Sequence, residues 1–290
     1  MNSCQKYLAT CLLTMFAPAV FAQVPDLGDA SAFAVLGAAV TTTGSNVTGN
    51  VGSSGAVTLT DSSIRGNLVY SGALTNTTST ISGTSTQPLP AQVVTDFNSA
   101  YTALVGLRCT QTIPEAAFTG VPLSVGSGVI CFPAAVTFTD SVLTLTGNGP
   151  WIFRVGTEAA GALTGKNLTV VMGSGGDACD VFWQVNAAAT MTTSVFQGNI
   201  LAGAAITTTG GTFAGRALAT AGVTMTNTIV TGCDALPGAP SCKGKKHHKR
   251  HHHKGHKGDR GHDKGDSDHG DDDHDNNDYD KGRGKHPMSK

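Results

Sequence analysis

Polar and apolar residues alternate in Ala189-Thr190-Met191-Thr192, Ile206-Thr207-Thr208-Thr209 and Val223-Thr224-Met225-Thr226, and each quartet follows the last by seventeen residues. A period of two marks a strand with one buried side. In register, Thr190, Thr207 and Thr224 make one outward column, and Thr192, Thr209 and Thr226 make a second. Ala189, Ile206, Val223, Met191 and Met225 take the inward positions, with Thr208 the one polar exception. Val40-Thr41-Thr42-Thr43 and Val57-Thr58-Leu59-Thr60 repeat the pattern near the start of the chain, again seventeen apart. Val136-Thr137-Phe138-Thr139 is a relative at mid-chain.

A fixed period near twenty residues, rich in Gly and β-branched side chains, predicts stacked β-coils. Seventeen residues hold about three short strands and three corners, so each coil is a triangle whose strands pair with their equivalents one coil away. The expected fold class is therefore mainly β, a triangular β-solenoid. Gly44, Gly49, Gly198, Gly210, Gly215 and Gly222 are expected at corners that need positive φ. One segment departs from the pattern. Residues 91–107 follow Pro88 and Pro90 and carry Val93, Val94, Phe97, Tyr101, Leu104 and Val105 at helical spacing. A helix there would be about 25 Å long, enough to lie along the side of several coils.

The two ends of the chain differ from this body. Residues 1–22 have one basic residue, Lys6, an apolar run from about Tyr7 to Phe16, and Val20 and Ala22 before a cleavage point. They read as a secretory signal peptide, which makes the expected location extracellular. No stretch reaches the roughly eighteen apolar residues of a membrane span. Residues 243–290 hold all ten histidines and 13 Lys and Arg against 10 Asp, with no aliphatic core former. A segment so polar is expected to be disordered. His247, His248, His251, His252, His253 and His256 suit loose chelation of Ni²⁺, Cu²⁺ or Zn²⁺. They have no structural-site spacing, so no cofactor is expected beyond weak divalent binding by this tail. A tether to an anionic cell surface or matrix is the other role its charge suggests.

Residues 23–242 remain as one domain with only 5 basic and 10 acidic residues, which offers no basic stripe for nucleic acid. It contains no histidine, and Asp61, Asp96, Asp140, Glu158, Asp177, Asp180 and Asp234 are scattered, so Ser-His or Cys-His catalysis is excluded and a paired-carboxylate site is not suggested. An enzyme is not expected. Export places the cysteines in an oxidising compartment. The expected pairs are Cys109–Cys131 and Cys179–Cys233 with Cys242 left over, one of several connectivities that the spacing permits.

The stretches LGDASAFAVLGAAVTTTG (27–44), GNGPWIFRVGT (147–157), CDVFWQVNAAATM (179–191), FQGNILAGAAIT (196–207) and GRALATAGVTMTNTIV (215–230) resemble the microbial ice-binding proteins. The resemblance implies a discontinuous right-handed β-solenoid with a flanking helix, and N-terminal coils inserted among the C-terminal ones rather than stacked in chain order. It also implies ice as the partner. A monomer is expected. Thr43-Gly44-Ser45-Asn46, Thr164-Gly165-Lys166-Asn167 and Thr209-Gly210-Gly211-Thr212 match the T-A/G-x-T/N motif of some members. The expected ice-binding face is Thr190, Thr192, Thr207, Thr209, Thr224 and Thr226, joined by Thr41, Thr43, Thr58 and Thr60. Inhibition of ice growth or recrystallisation would be its function. The alternative is an extracellular adhesion or matrix protein on the same scaffold, anchored by the charged tail.

Overall fold

The computed structural model describes residues 24–173 and 175–236. The leader, Cys242 and the His-rich tail lie outside the described residues, the tail belonging to a separate unit, 243–290. The body is a stack of parallel β-coils. Its strands form a nine-stranded sheet on one face of the coil and a seventeen-stranded sheet that bends over the other two. On the first face the order is Ala117–Thr119, Val136–Thr139, Leu163–Lys166, Ala189–Thr192, Ile206–Thr209, Gly222–Thr226, Ala39–Thr43, Val57–Thr60 and Leu74–Thr77. The last coil of the chain thus receives the first one: Val40 pairs with Val223 and Thr41 with Thr224. The N-terminal coils are therefore out of chain order as expected, but they dock as one block beyond the last coil instead of being inserted among the others.

Inward side chains fill the coil along its axis. Phe153 stacks on Trp183 with ring centroids 3.9 Å apart, Trp183 meets Phe196 at 5.5 Å, and Phe196 meets Phe213 at 5.0 Å. Towards the N-terminal block the filling is aliphatic, with Val47, Val51, Ile64 and Leu68 all buried. Backbone pairing fixes the rise between coils, so each ring must fit the space left by its equivalents one coil above and below.

The second face is buried on both sides, so Phe33–Gly37 and Val181–Val185 are buried at every position instead of alternating, Gln184 being the one polar side chain among them. Its outer layer is the helix Ala91–Val105, whose Val93, Phe97, Ala100 and Leu104 pack against Leu36, Ile152, Phe182, Leu201 and Leu218. The helix ends at Val105, two residues before the expected limit. The Cys109–Cys131 disulfide then ties the following loop to the sheet, and Cys179–Cys233 ties down the last turn of the described chain.

Gly44, Gly49, Gly198, Gly210 and Gly215 have positive φ, at +59°, +133°, +126°, +65° and +134°. At Gly215 space is as decisive as φ, because a Cβ would lie 2.1 Å from the Gly198 carbonyl oxygen. Gly222 departs from expectation. It sits inside the strand Gly222–Thr226, opposite Ala39, and not at a corner.

Removing Trp183, fully buried in the ring stack, should cost about 3–5 kcal/mol of stability in Trp183→Ala. Urea unfolding of the variant measures this, and a loss below about 1 kcal/mol would contradict close packing of the coil interior.

Candidate functional site

Strand pairing on the first face carries threonines into register over almost its whole length. One column runs Thr137, Thr164, Thr190, Thr207, Thr224, Thr41, Thr58, Thr75. The second runs Thr119, Thr139, Lys166, Thr192, Thr209, Thr226, Thr43, Thr60, Thr77. All sixteen threonines are exposed or half-buried, and none of their hydroxyls is hydrogen-bonded to another of the described residues. Ranks along the axis are about 4.8 Å apart, and the two columns are about 6.7 Å apart. β-Branching holds each threonine near one χ1, so the array is ordered before anything meets it.

A third outward column precedes these two. It consists of Ala135, Ala162, Ala188, Ala205, Gly222, Ala39, Ala56 and Ala73, each just before an inward residue of its strand. Their carbonyls accept ladder hydrogen bonds, as in Val40 N–H to Ala56 (3.1 Å) and Ala189 N–H to Ala205 (3.0 Å). No side chain in this column rises above the threonines. The face is therefore low and regular, with Lys166 its single charge.

Immediately beyond the second column every coil turns through a left-handed residue: Gly120, Asp140, Asn167, Thr193, Gly210, Asn227, Gly44, Asp61 and Thr78, with φ between +48° and +65°. Asn and Asp tolerate this conformation better than other non-glycine residues. Neighbouring corners also bond to one another. Asn167 Nδ2 donates to Asp140 Oδ1 at 2.7 Å, Thr193 Oγ1 donates to Asn167 and Thr78 Oγ1 donates to Asp61.

One residue further, an inward hydroxyl braces the face from behind. Ser45, Ser62, Ser141, Ser194 and Thr228 donate to the carbonyls of Thr43, Thr60, Thr139, Thr192 and Thr226 at 2.9–3.1 Å. The same oxygens accept N–H groups from adjacent coils: Ser45 N–H to Ser62 Oγ at 3.2 Å and Thr228 N–H to Ser45 Oγ at 3.1 Å. Interior polarity is otherwise sparse. Thr208 bonds Thr228 at 3.0 Å, while the buried Thr42 hydroxyl has no partner.

Sequence reasoning missed Thr75, Thr77, Thr119 and the alanine column, and left Thr137, Thr139 and Thr164 outside the expected face. The T-x-[ST] spacing, as in Thr60-Asp61-Ser62, was the available signal for the bracing hydroxyls. The three motif matches do not mark equivalent positions. Thr43 and Thr209 share the second column, but Thr164 stands in the first.

Carboxylates gather at one other place, a cleft of about 360 Å³ lined by Asp26, Asp177, Asp180 and Asp234 beside Arg216. Burial, and then the nearby Asp177 charge, raise the Asp180 pKa above the usual carboxylate range. Arg216 pairs with Asp234 at 3.5 Å and donates to the Ser31 carbonyl at 2.8 Å, so it anchors the N-terminal segment. Among the described residues no group of three or more His, Cys, Asp or Glu side chains is placed to hold a metal ion, and no helix is long and apolar enough to cross a membrane. The histidines at 247–256 lie outside the described residues.

A family model described as ice-binding-like matches residues 34–231. Among solved structures, the chain is similar to an ice-binding protein from the Antarctic ascomycete Antarctomyces psychrotrophicus, at 27% identity and TM-score 0.58 over 74% of this chain and 100% of that one. It is also similar to an ice-binding protein from an Antarctic biological consortium, at 26% identity and TM-score 0.55, covering 73% of this chain and 92% of that one. A third, from an Antarctic Flavobacteriaceae bacterium, is 30% identical with TM-score 0.57; the match covers 72% of this chain and only 47% of that one. No curated protein sequence matches.

The bracing hydroxyls and the outward threonines should separate in a stability measurement. Ser62→Ala leaves the Ser45 N–H without its acceptor and removes one of the two donors to the Thr60 carbonyl, which keeps the Gly44 N–H, and should cost about 1–3 kcal/mol. Thr60→Ala, on the outer surface of the same coil, should stay within about 0.5 kcal/mol. Equal losses in thermal unfolding would mean that the serine does not brace the face.

Proposed function

We propose that this chain, which belongs to the ice-binding-like family, adsorbs to ice through the face formed by its two threonine columns and the alanine column beside them. The observation that carries this reading is the sixteen-threonine array in which no hydroxyl bonds to another of the described residues. Ice presents water at fixed spacings, so a surface matches it only if its own groups are fixed. Coil pairing sets one spacing, strand geometry sets the other, and β-branching sets the direction of each side chain. Methyl groups discourage random hydration while hydroxyls anchor ordered water. Near-absence of charge matters equally, since an ammonium or carboxylate holds its own hydration shell. The similar Antarctic proteins, described as ice-binding, support the assignment. Slowed ice growth or recrystallisation follows from adsorption, because a crystal pinned at many points must bulge between them.

The reading includes export. The apolar leader 1–22 suits secretion, and the polar composition of 243–290 suits a solvated extension or an electrostatic tether to an anionic surface. No cofactor or reaction enters the mechanism.

A bulky or charged side chain at the centre of the array should abolish fit without touching the core. Thr207→Tyr and Thr209→Lys should keep their stability within about 0.5 kcal/mol yet lose most ice-recrystallisation inhibition. Thr102→Tyr, on the outer side of the helix, should leave inhibition unchanged. Retained inhibition in the Thr207 and Thr209 variants would remove this face from consideration.

Lys166 yields the opposite test. It interrupts the second column between Thr139 and Thr192, is exposed, and makes no ion pair among the described residues. Its substitution in Lys166→Thr joins the six-coil stretch from Thr192 to Thr77 with Thr139 and Thr119, and should raise recrystallisation inhibition. Unchanged or lower inhibition would mean that the contact ends short of this coil.

A further inference from the structure

The third face of the coil carries an exposure that the first face does not explain. Seven large apolar residues are exposed among the described residues, and four of them, Val142, Val171, Val195 and Ile229, stand on this face at 40–52% exposure. Strand register places them in order. One outward column runs Val142, Thr169, Val195, Thr212, Ile229 over five successive coils. All five are β-branched, so each carries a γ-methyl on a stiff χ1. The neighbouring column over the same coils is Thr144, Val171, Gln197, Ala214 and Thr231, in which the Gln197 amide donates back to the Val170 carbonyl, and no charged residue stands in either column. The Thr169 and Thr212 hydroxyls, like those of the first face, bond to none of the described residues. Behind them Leu143, Val170, Phe196, Phe213 and Val230 are buried and hold the sheet rigid.

We propose that this third face is a second ice-adsorbing surface, which addresses a crystal plane different from the one met by the threonine face. The proposal rests on the ice-binding reading above. Both faces are built by the same coils, so both share the rank spacing of about 4.8 Å. Valine differs from threonine only in placing a second methyl where the hydroxyl would be, so the third face keeps the methyl lattice and thins the hydroxyls. The two surfaces meet along the edge of left-handed corners from Asp140 to Thr78, so one flat plane cannot touch both.

Other occupants fit less well. Two columns over five coils measure about 200–250 Å², far below the roughly 800 Å² per partner of a stable protein interface. The tail 243–290, with no aliphatic core former and dense charge, is the wrong chemistry to cover an apolar, uncharged sheet.

The test is plane mapping on a single ice crystal with the fluorescently labelled protein. Wild type should mark two sets of planes. Val195→Lys with Ile229→Lys should lose one set and keep the other. Val195→Thr with Ile229→Thr, which keeps one γ-methyl at each position, should keep both. Thr207→Tyr with Thr209→Lys should lose the set that the lysine pair keeps, and this arm decides the matter if the lysine pair does not fold. The proposal is overturned if the lysine pair marks the wild-type pattern, or if the Thr207/Thr209 variant leaves the crystal blank. It is also overturned if light scattering shows that the lysine pair splits a dimer, because the face would then be a self-interface. A wild-type protein that marks no plane sinks the ice-binding reading itself, an outcome distinct from loss of one set.

Discussion

Parallel backbone pairing between successive coils is the constraint on which everything else in this molecule depends. Each strand bonds to its equivalent one coil away, so a residue type repeated at the coil period becomes a straight column with no further specification. A one-residue slip would turn Val40, Val57 and Val223 outward and bury the threonines, and the hydrophobic interior forbids it. The ring stack of Phe153, Trp183, Phe196 and Phe213 is therefore more than filling. It locks the register that the outer surface needs.

The same constraint decides what was legible in the sequence. Where coils are seventeen residues long, the columns could be read directly, and Thr190, Thr207 and Thr224 stand as expected. Between Ala117 and Thr190 the pairing intervals are 20, 27 and 26 residues, since insertions lengthen the corners while leaving the strand in place. No fixed period survives there, and so the continuity of Thr137 and Thr164 with the rest stayed hidden. Leu74-Thr75-Asn76-Thr77 lay at the right interval but carries Asn76 where an inward apolar residue belongs, which is tolerable only because this is the terminal coil. Alanine gave no signal because its small side chain suits either side of a sheet. The pairing of the last coil with the first is a contact between residues almost two hundred positions apart, and a single sequence carries no periodic trace of it.

The proposed function rests on what the columns lack as much as on what they hold. The body spends its few charges away from the first face: Arg216 and Asp234 anchor the N-terminal segment, Asp140 and Asp61 turn corners, and only Lys166 intrudes. Corner serines satisfy the backbone behind the second column, which leaves the outward hydroxyls for water alone. A protein built to bind a folded partner or a sugar would need relief and directional charge. This one offers a repeating surface of threonines in register, which suits the proposed adsorption to a crystal.

Partition into slowly growing ice tests that central claim most directly. The purified protein, frozen from dilute solution onto a cooled probe beside an unrelated globular protein of similar size, should be enriched in the ice fraction while the control stays in the liquid. Exclusion of both proteins to the same degree would contradict adsorption to ice, and the threonine columns would then be no more than the solvated surface of a solenoid.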